Sequence, residues 1–148
     1  MKKTNLPDLN EILMHQLFRT GRLLRFYIQQ FLDIDKFAFT PEQFFLFYRL
    51  YVNDGQTQRE LADKTLNDHP NITRLIDKLE EKGYVKRKPD KDDRRTFTIK
   101  MSEEGIHLFE RMLPIVEAER KKLLKGISTE EQQIVKRVLN QLENNMNN

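Results

Sequence analysis

Thr57–Gly105 reads TQRELADKTLNDHPNITRLIDKLEEKGYVKRKPDKDDRRTFTIKMSEEG, and its residue order decides the fold. Thr57-Gln58-Arg59-Glu60 has the form of a capping box and opens a short helix that turns Leu61 and Ala62 inward. The chain turns at Leu66-Asn67-Asp68, and a second helix follows over about Asp68–Lys82, capped by Asp68 or His69 with Pro70 in its first turn. Ile72, Leu75, Ile76 and Leu79 recur at helical spacing and form its inner stripe. Gly83 stands where a helix end wants a left-handed residue. Tyr84–Lys88 and Thr96–Met101 are strand-like, and the turn-forming run Pro89–Asp93 joins them. Two helices and a charged hairpin form a helix-turn-helix with a basic arm.

Charge is concentrated in the same stretch. Lys86–Lys100 holds seven basic residues against three acids, while the whole chain of 148 residues carries a net +3. The rest of the chain is therefore close to neutral. A helix sized for the major groove beside a basic hairpin suited to the minor groove points to double-stranded DNA as partner. On the outer face of the second helix stand Asp68, His69, Asn71, Thr73, Arg74, Asp77 and Lys78. Asn and Arg each present two hydrogen-bonding groups to a base edge, and Thr suits phosphate. Thr57 and Gln58 at the start of the first helix, and Lys88, Lys91, Asp93, Arg94 and Arg95 on the hairpin, complete the expected DNA contacts. An aspartate two residues before an arginine can pair with its guanidinium and hold it extended. The competing reading of both surfaces is a solvated charged face, and the combination of strand context and basic excess favours contact.

Outward from this centre the chain is helical. Leu9, Ile12, Leu13, Leu17, Leu24, Ile28, Phe31 and Leu32 predict one long amphipathic helix over Leu9–Leu32. Thr40-Pro41-Glu42-Gln43 caps a second helix that ends at Asn53-Asp54-Gly55. Ser102 caps a long helix reaching about Lys125, with a kink expected at Pro114. Ser128-Thr129-Glu130-Glu131 opens a last helix carrying Ile134, Val135, Val138, Leu139 and Leu142. No large apolar sheet is available to cover these stripes, so a homodimer is expected to bury them.

Several classes drop out. The chain has no cysteine, which excludes disulfides, thiolate metal sites and cysteine redox switching. No apolar run approaches a membrane span and no leader is visible, so a cytoplasmic protein without a membrane partner is expected. His15, His69 and His107 are isolated and suggest no metal site. No catalytic constellation and no cofactor motif stands out, so an enzyme is not expected.

Leu61-Ala62, Thr73–Arg87, Asp90, Asp93-Arg94-Arg95 and Met101–Gly105 together resemble the MarR family of bacterial regulators, whose run is LA…TRLVDRLEKKGLVxR…D…DxR…LTxxG. The resemblance covers essentially the whole chain. It implies a mainly α fold with a small β-hairpin wing, a winged helix-turn-helix with long N- and C-terminal dimerisation helices. The lobe is expected at about 40–104 and the dimerisation helices at about 5–35 and 105–146, within one domain. The resemblance implies that Asp93 and Arg95 are the wing pair, with Arg95 in the minor groove and the Asp68–Arg74 face in the major groove. Met101 and Ser102 stand where Leu-Thr is usual. His69 and Pro70 are not typical, so base preference is not carried over. The function implied is a sequence-specific, ligand-responsive repressor acting on a pseudo-palindromic operator. The alternative is a winged-helix module that binds protein instead of DNA. Members of the family respond to small aromatic or anionic effectors bound between the dimerisation helices and the lobe. Phe44, Phe45, Phe47, Tyr48 and Tyr51 are candidates to line such a cleft, with His15, Arg19 and Arg22 as polar anchors; core packing is the commoner role of aromatic residues at helical spacing.

Overall fold

The structure is a computed structural model that describes residues 4–65 and 69–147, apart from the side chain of His69. Residues 66–68, including the expected turn and Asp68, lie outside the described residues. The chain divides into two compact units, Met1–Glu110 and Arg111–Asn148.

In the first unit, a short 3-10 turn at Leu9–Glu11 precedes α1 (Leu13–Ile34), followed by α2 (Pro41–Val52), β1 (Gln56–Thr57), α3 (Gln58–Thr65), α4 (His69–Glu81), β2 (Val85–Pro89) and β3 (Phe97–Met101). Helix α5 (Glu103–Leu123) runs from the first unit into the second, and α6 (Thr129–Asn147) completes the chain.

Several local signals act as expected where the contact is short in sequence. The Thr40 hydroxyl accepts the Gln43 amide at 3.2 Å and the Gln43 side chain accepts the Thr40 amide at 3.0 Å, closing the box that starts α2. The same reciprocal pair joins Thr57 with Glu60 at 2.8 and 3.1 Å and Ser128 with Glu131 at 2.7 and 3.1 Å. Gly83 takes φ +76°, and the Tyr84 amide reaches back to the Leu79 carbonyl at 3.0 Å, so α4 ends in the left-handed turn its glycine permits. The Ser102 hydroxyl accepts the Gly105 amide at 3.0 Å and starts α5. The helix continues through Pro114.

Two features differ from expectation. The N-terminal helix is not continuous from Leu9. The Asp8 carboxylate accepts the Asn10 amide at 2.8 Å and closes a 3-10 turn, and Ile12 is extended at φ −88°, ψ 116° before α1 begins. A short side-chain bond that competes with the helix amides makes the break. The sheet also has three strands, in the order β1-β3-β2, where the sequence predicts a two-stranded hairpin. Two residues are too few to show strand alternation. Gln56 and Thr57 pair with Ile99 and Thr98 because β3 would otherwise have a free edge.

The core of the first unit is aromatic and aliphatic. Leu32, Phe39, Leu46, Phe47, Leu50, Leu61, Ile72, Ile76, Leu79, Ile99 and Phe109 are fully buried. Phe109 packs against Phe44, Phe47, Tyr48 and Tyr51, with ring centroids 4.6–6.2 Å apart. Phe44 and Phe47 are therefore core residues.

Candidate DNA-reading surface

Helix α4 is fixed from below. Ile72, Ile76 and Leu79 are buried and Leu75 is half-buried, so its stripe anchors the helix at about 1.5–3 kcal/mol per fully covered side chain. Its opposite side presents Asn71 and Thr73, half-buried, and Arg74 and Lys78, exposed. The Gln58 side-chain amide donates to the Thr73 hydroxyl, tying the start of α3 to the first turns of α4. Thr57 is shared between β1 and the cap of α3. Asp68 lies outside the described residues, and His69 is the first residue of α4.

The wing tip spans residues 90–96. The Asp90 carboxylate accepts the amides of Asp92 and Asp93 at 2.8 and 3.3 Å, and the Asp90 amide donates to the Thr96 carbonyl at 2.8 Å. This turn presents Lys91, Arg94 and Arg95 to solvent. Asp93 accepts both the Arg95 backbone amide at 3.0 Å and its guanidinium Nε at 3.4 Å. The Arg95 side chain is 93% exposed even so. An arginine held by its own neighbour and otherwise open to water has its remaining donors available to a ligand.

Lys88 has another setting. The β2–β3 register places Lys86 opposite Lys100 and Lys88 opposite Thr98. Strand alternation turns Lys86 and Lys88 away from the buried face that holds Val85. These lysines and Lys100 line a depression of about 560 Å³ with Ser102, Glu103 and Glu104. The six residues suggested for an effector also separate. His15, Arg19 and Arg22 meet along one side of α1, where Phe18, Leu23 and Phe26 join them around a depression of about 430 Å³. The Arg22 guanidinium lies 5.9 Å from the Phe18 ring centre, within cation–π range. None of Phe45, Tyr48 and Tyr51 lines that depression, and each is partly exposed on α2.

Sequence reasoning misses one interaction. It groups Asp77 and Lys78 in a single polar patch, yet the Asp77 carboxylate holds the guanidinium of Arg87 at 2.6 Å. Glu80 holds the same group at 3.2 Å. The acids lie three residues apart on one helix edge, a spacing visible in the sequence, but nothing local shows that β2 returns past them. Among the described residues no group of three or more His, Cys, Asp or Glu can hold a metal ion, and no helix is long and apolar enough to cross a membrane.

Residues 39–97 match the family model of MarR. The MepR–DNA complex of S. aureus is similar over 91% of this chain and 99% of that one, at 28% identity and a TM-score of 0.79. A MarR transcriptional regulator from Methanosarcina mazei Go1 is 28% identical, with a TM-score of 0.70 over 89% of this chain and 92% of that one. BpsR of Bordetella bronchiseptica, whose DNA binding is regulated by 6-hydroxynicotinic acid, shares the fold at a TM-score of 0.82, covering 94% of this chain and 98% of that one at 19% identity.

Proposed function

We propose that this chain, which carries a MarR-family winged helix over residues 39–97 within the fold of that family's transcriptional regulators, is a sequence-specific DNA-binding repressor. It acts as a homodimer on a pseudo-palindromic operator. The observation that carries this reading is the wing arginine. Arg95 projects from a turn built by Asp90 and Asp93, on the same lobe as a helix whose apolar stripe is buried and whose polar face is outward. Arg74 is placed to read a base, Asn71 and Thr73 to meet base or phosphate, and Arg95 to enter the narrow, electronegative minor groove. Two copies on one face of the duplex need half-sites about one helical turn apart.

Selection of bound fragments from a random duplex pool, followed by anisotropy titrations over a salt series, tests this. Inverted half-sites should emerge. Arg95→Ala should weaken binding without lowering the melting temperature, and the slope of log K against log salt should become shallower by about 0.9 for each phosphate the variant no longer neutralises. Binding that ignores sequence, or an Arg95→Ala protein with unchanged affinity and slope, would reject the assignment.

Release by a small effector is the second part of the proposal. The α1 depression joins two arginines and a histidine to two phenylalanines, a setting suited to an aromatic or anionic molecule. Such a ligand shifts the protein away from DNA only as far as it prefers the other lobe arrangement. Aromatic carboxylates screened by melting temperature and operator affinity test this part.

A further inference from the structure

We infer that Arg87 is a positioning residue that sets the wing against the recognition helix, so that major- and minor-groove contacts are made together. The inference rests on the DNA-binding reading above. Strand β2 is an edge strand, since the sheet order is β1-β3-β2. The Arg87 amide donates to Glu80 Oε2 at 3.0 Å, and the Arg87 guanidinium donates through Nη1 to Glu80 Oε1 at 3.2 Å. One carboxylate thus takes both the strand amide and the side chain of the same residue. The other arm of the fork donates through Nη2 to Asp77 Oδ1 at 2.6 Å. Two acids on α4 and three hydrogen bonds hold one position of β2.

This clasp works where the backbone alone is weak. Only Lys82, Gly83 and Tyr84 separate α4 from β2, and Gly83 is in the left-handed region at φ +76°. The short glycine turn, closed by the Tyr84 amide on the Leu79 carbonyl, fixes the connection, and the clasp adds a second restraint on the angle. A planar guanidinium gripped from two sides fixes angle, because rotating β2 away must break charge-assisted bonds together. Arg87 is no candidate for DNA contact itself. Its side chain is 20% exposed against 93% for Arg95, and its fork is turned to α4. The pairing also offsets one of the two negative charges that Asp77 and Glu80 set on a helix meant to lie against phosphates.

The experiment is a double-mutant cycle on operator binding, with melting temperature recorded for every variant. In the wild-type background Arg95→Ala lowers affinity by some factor. In an Arg87→Ala background that factor should shrink by about threefold or more, the coupling expected when one site positions the other. The pair Asp77→Asn with Glu80→Gln should shrink it similarly, and serves as the test if Arg87→Ala does not fold. Arg87→Lys keeps the charge without the fork and should restore the factor only in part. If the factors multiply independently while only the melting temperature falls, Arg87 is structural and the inference is overturned. If the wild-type protein binds no duplex DNA, the functional reading fails first and takes the inference with it.

Discussion

Between Pro41 and Met101 the chain covers most of its own apolar residues, and in α1 and α6 it covers few. Phe44, Leu46, Phe47, Leu50, Leu61, Ile72, Ile76, Leu79, Val85 and Ile99 are all buried. Along the 22 residues of α1 only Ile28 and Leu32 are buried, while Leu13, Phe18, Leu23 and Phe26 are exposed. Helix α6 has no buried residue, and Ile134, Val135 and Leu139 face solvent. Both regions have amphipathic patterns of the same kind. The lobe finds its complement within the chain, whereas the stripes of the terminal helices are left largely exposed. That difference is the physical basis of the proposed homodimer.

The largest effect that can break this comparison is a pair of truncations. Phe47→Ala opens the lobe core and should cost about 3–5 kcal/mol in denaturant unfolding. Phe18→Ala should change the stability of dilute protein by no more than about 0.5 kcal/mol, as an exposed substitution does. Equal losses in dilute solution would erase the distinction between the two regions.

Next in size is the effect of Leu139→Ser on assembly. Covering the exposed 38% of Leu139 on both protomers of a dimer contributes about 1–2 kcal/mol in all. Sedimentation should therefore show the dimer dissociating at a concentration higher by about one power of ten, and the wild-type melting temperature should rise with protein concentration. A wild-type melting temperature independent of concentration over the range where the dimer dissociates would remove the argument from exposed stripes.

The glycines give a contrast of sign. Gly83, at φ +76°, ends α4 in a conformation an alanine strains to adopt, so Gly83→Ala should destabilise by about 1–2 kcal/mol. Gly21 lies within α1, and a Cβ there meets nothing within 4 Å. Gly21→Ala should stabilise by about 0.5–1 kcal/mol. Calorimetry on both decides; a destabilising Gly21→Ala would show that a partner closely covers that face of α1.

The smallest effect concerns the ion pair that links the two regions. Arg25 holds Glu42 by two bonds of 2.8 and 3.2 Å. Burial pushes the Glu42 carboxyl up, but the Arg25 hydrogen bond and charge, with local hydrogen bonds, bring it below its ordinary value. A lowered folded-state value contributes stability above the ordinary carboxylate range and loses it as pH falls through the folded value. Both side chains are more than a third exposed, so solvent screening keeps the contribution small. Unfolding curves from pH 6 to pH 3 should show wild type losing slightly more stability than Glu42→Gln; a larger loss in the variant would reverse the sign.

Particular residues show how far the linear text reaches. The boxes at Thr40, Thr57 and Ser128, the stop at Gly83 and the cap at Ser102 are legible in it, because each spans only a few residues. The α4 stripe is legible because helical spacing repeats. The same spacing does not show which aromatic residues are inside: Phe44 and Phe47 are buried, while Phe45, Tyr48 and Tyr51 on the same helix are partly open. Nor does it reveal strand β1, which exists only because β3 offers it an edge.

The amino-acid order by itself determined most of the helices, the caps at Thr40, Thr57, Ser102 and Ser128, the basic wing and the resemblance to the MarR family, since these depend on neighbours along the chain and on side-chain period. Only the tertiary structure decided that Arg87 is gripped by Asp77 and Glu80, that Lys88 turns away from the buried face of the sheet, and that His15, Arg19 and Arg22 meet along α1 without Phe45, Tyr48 or Tyr51. These outcomes depend on where an element returns in space. A periodic pattern specifies which face of an element is apolar, but not what that face will meet.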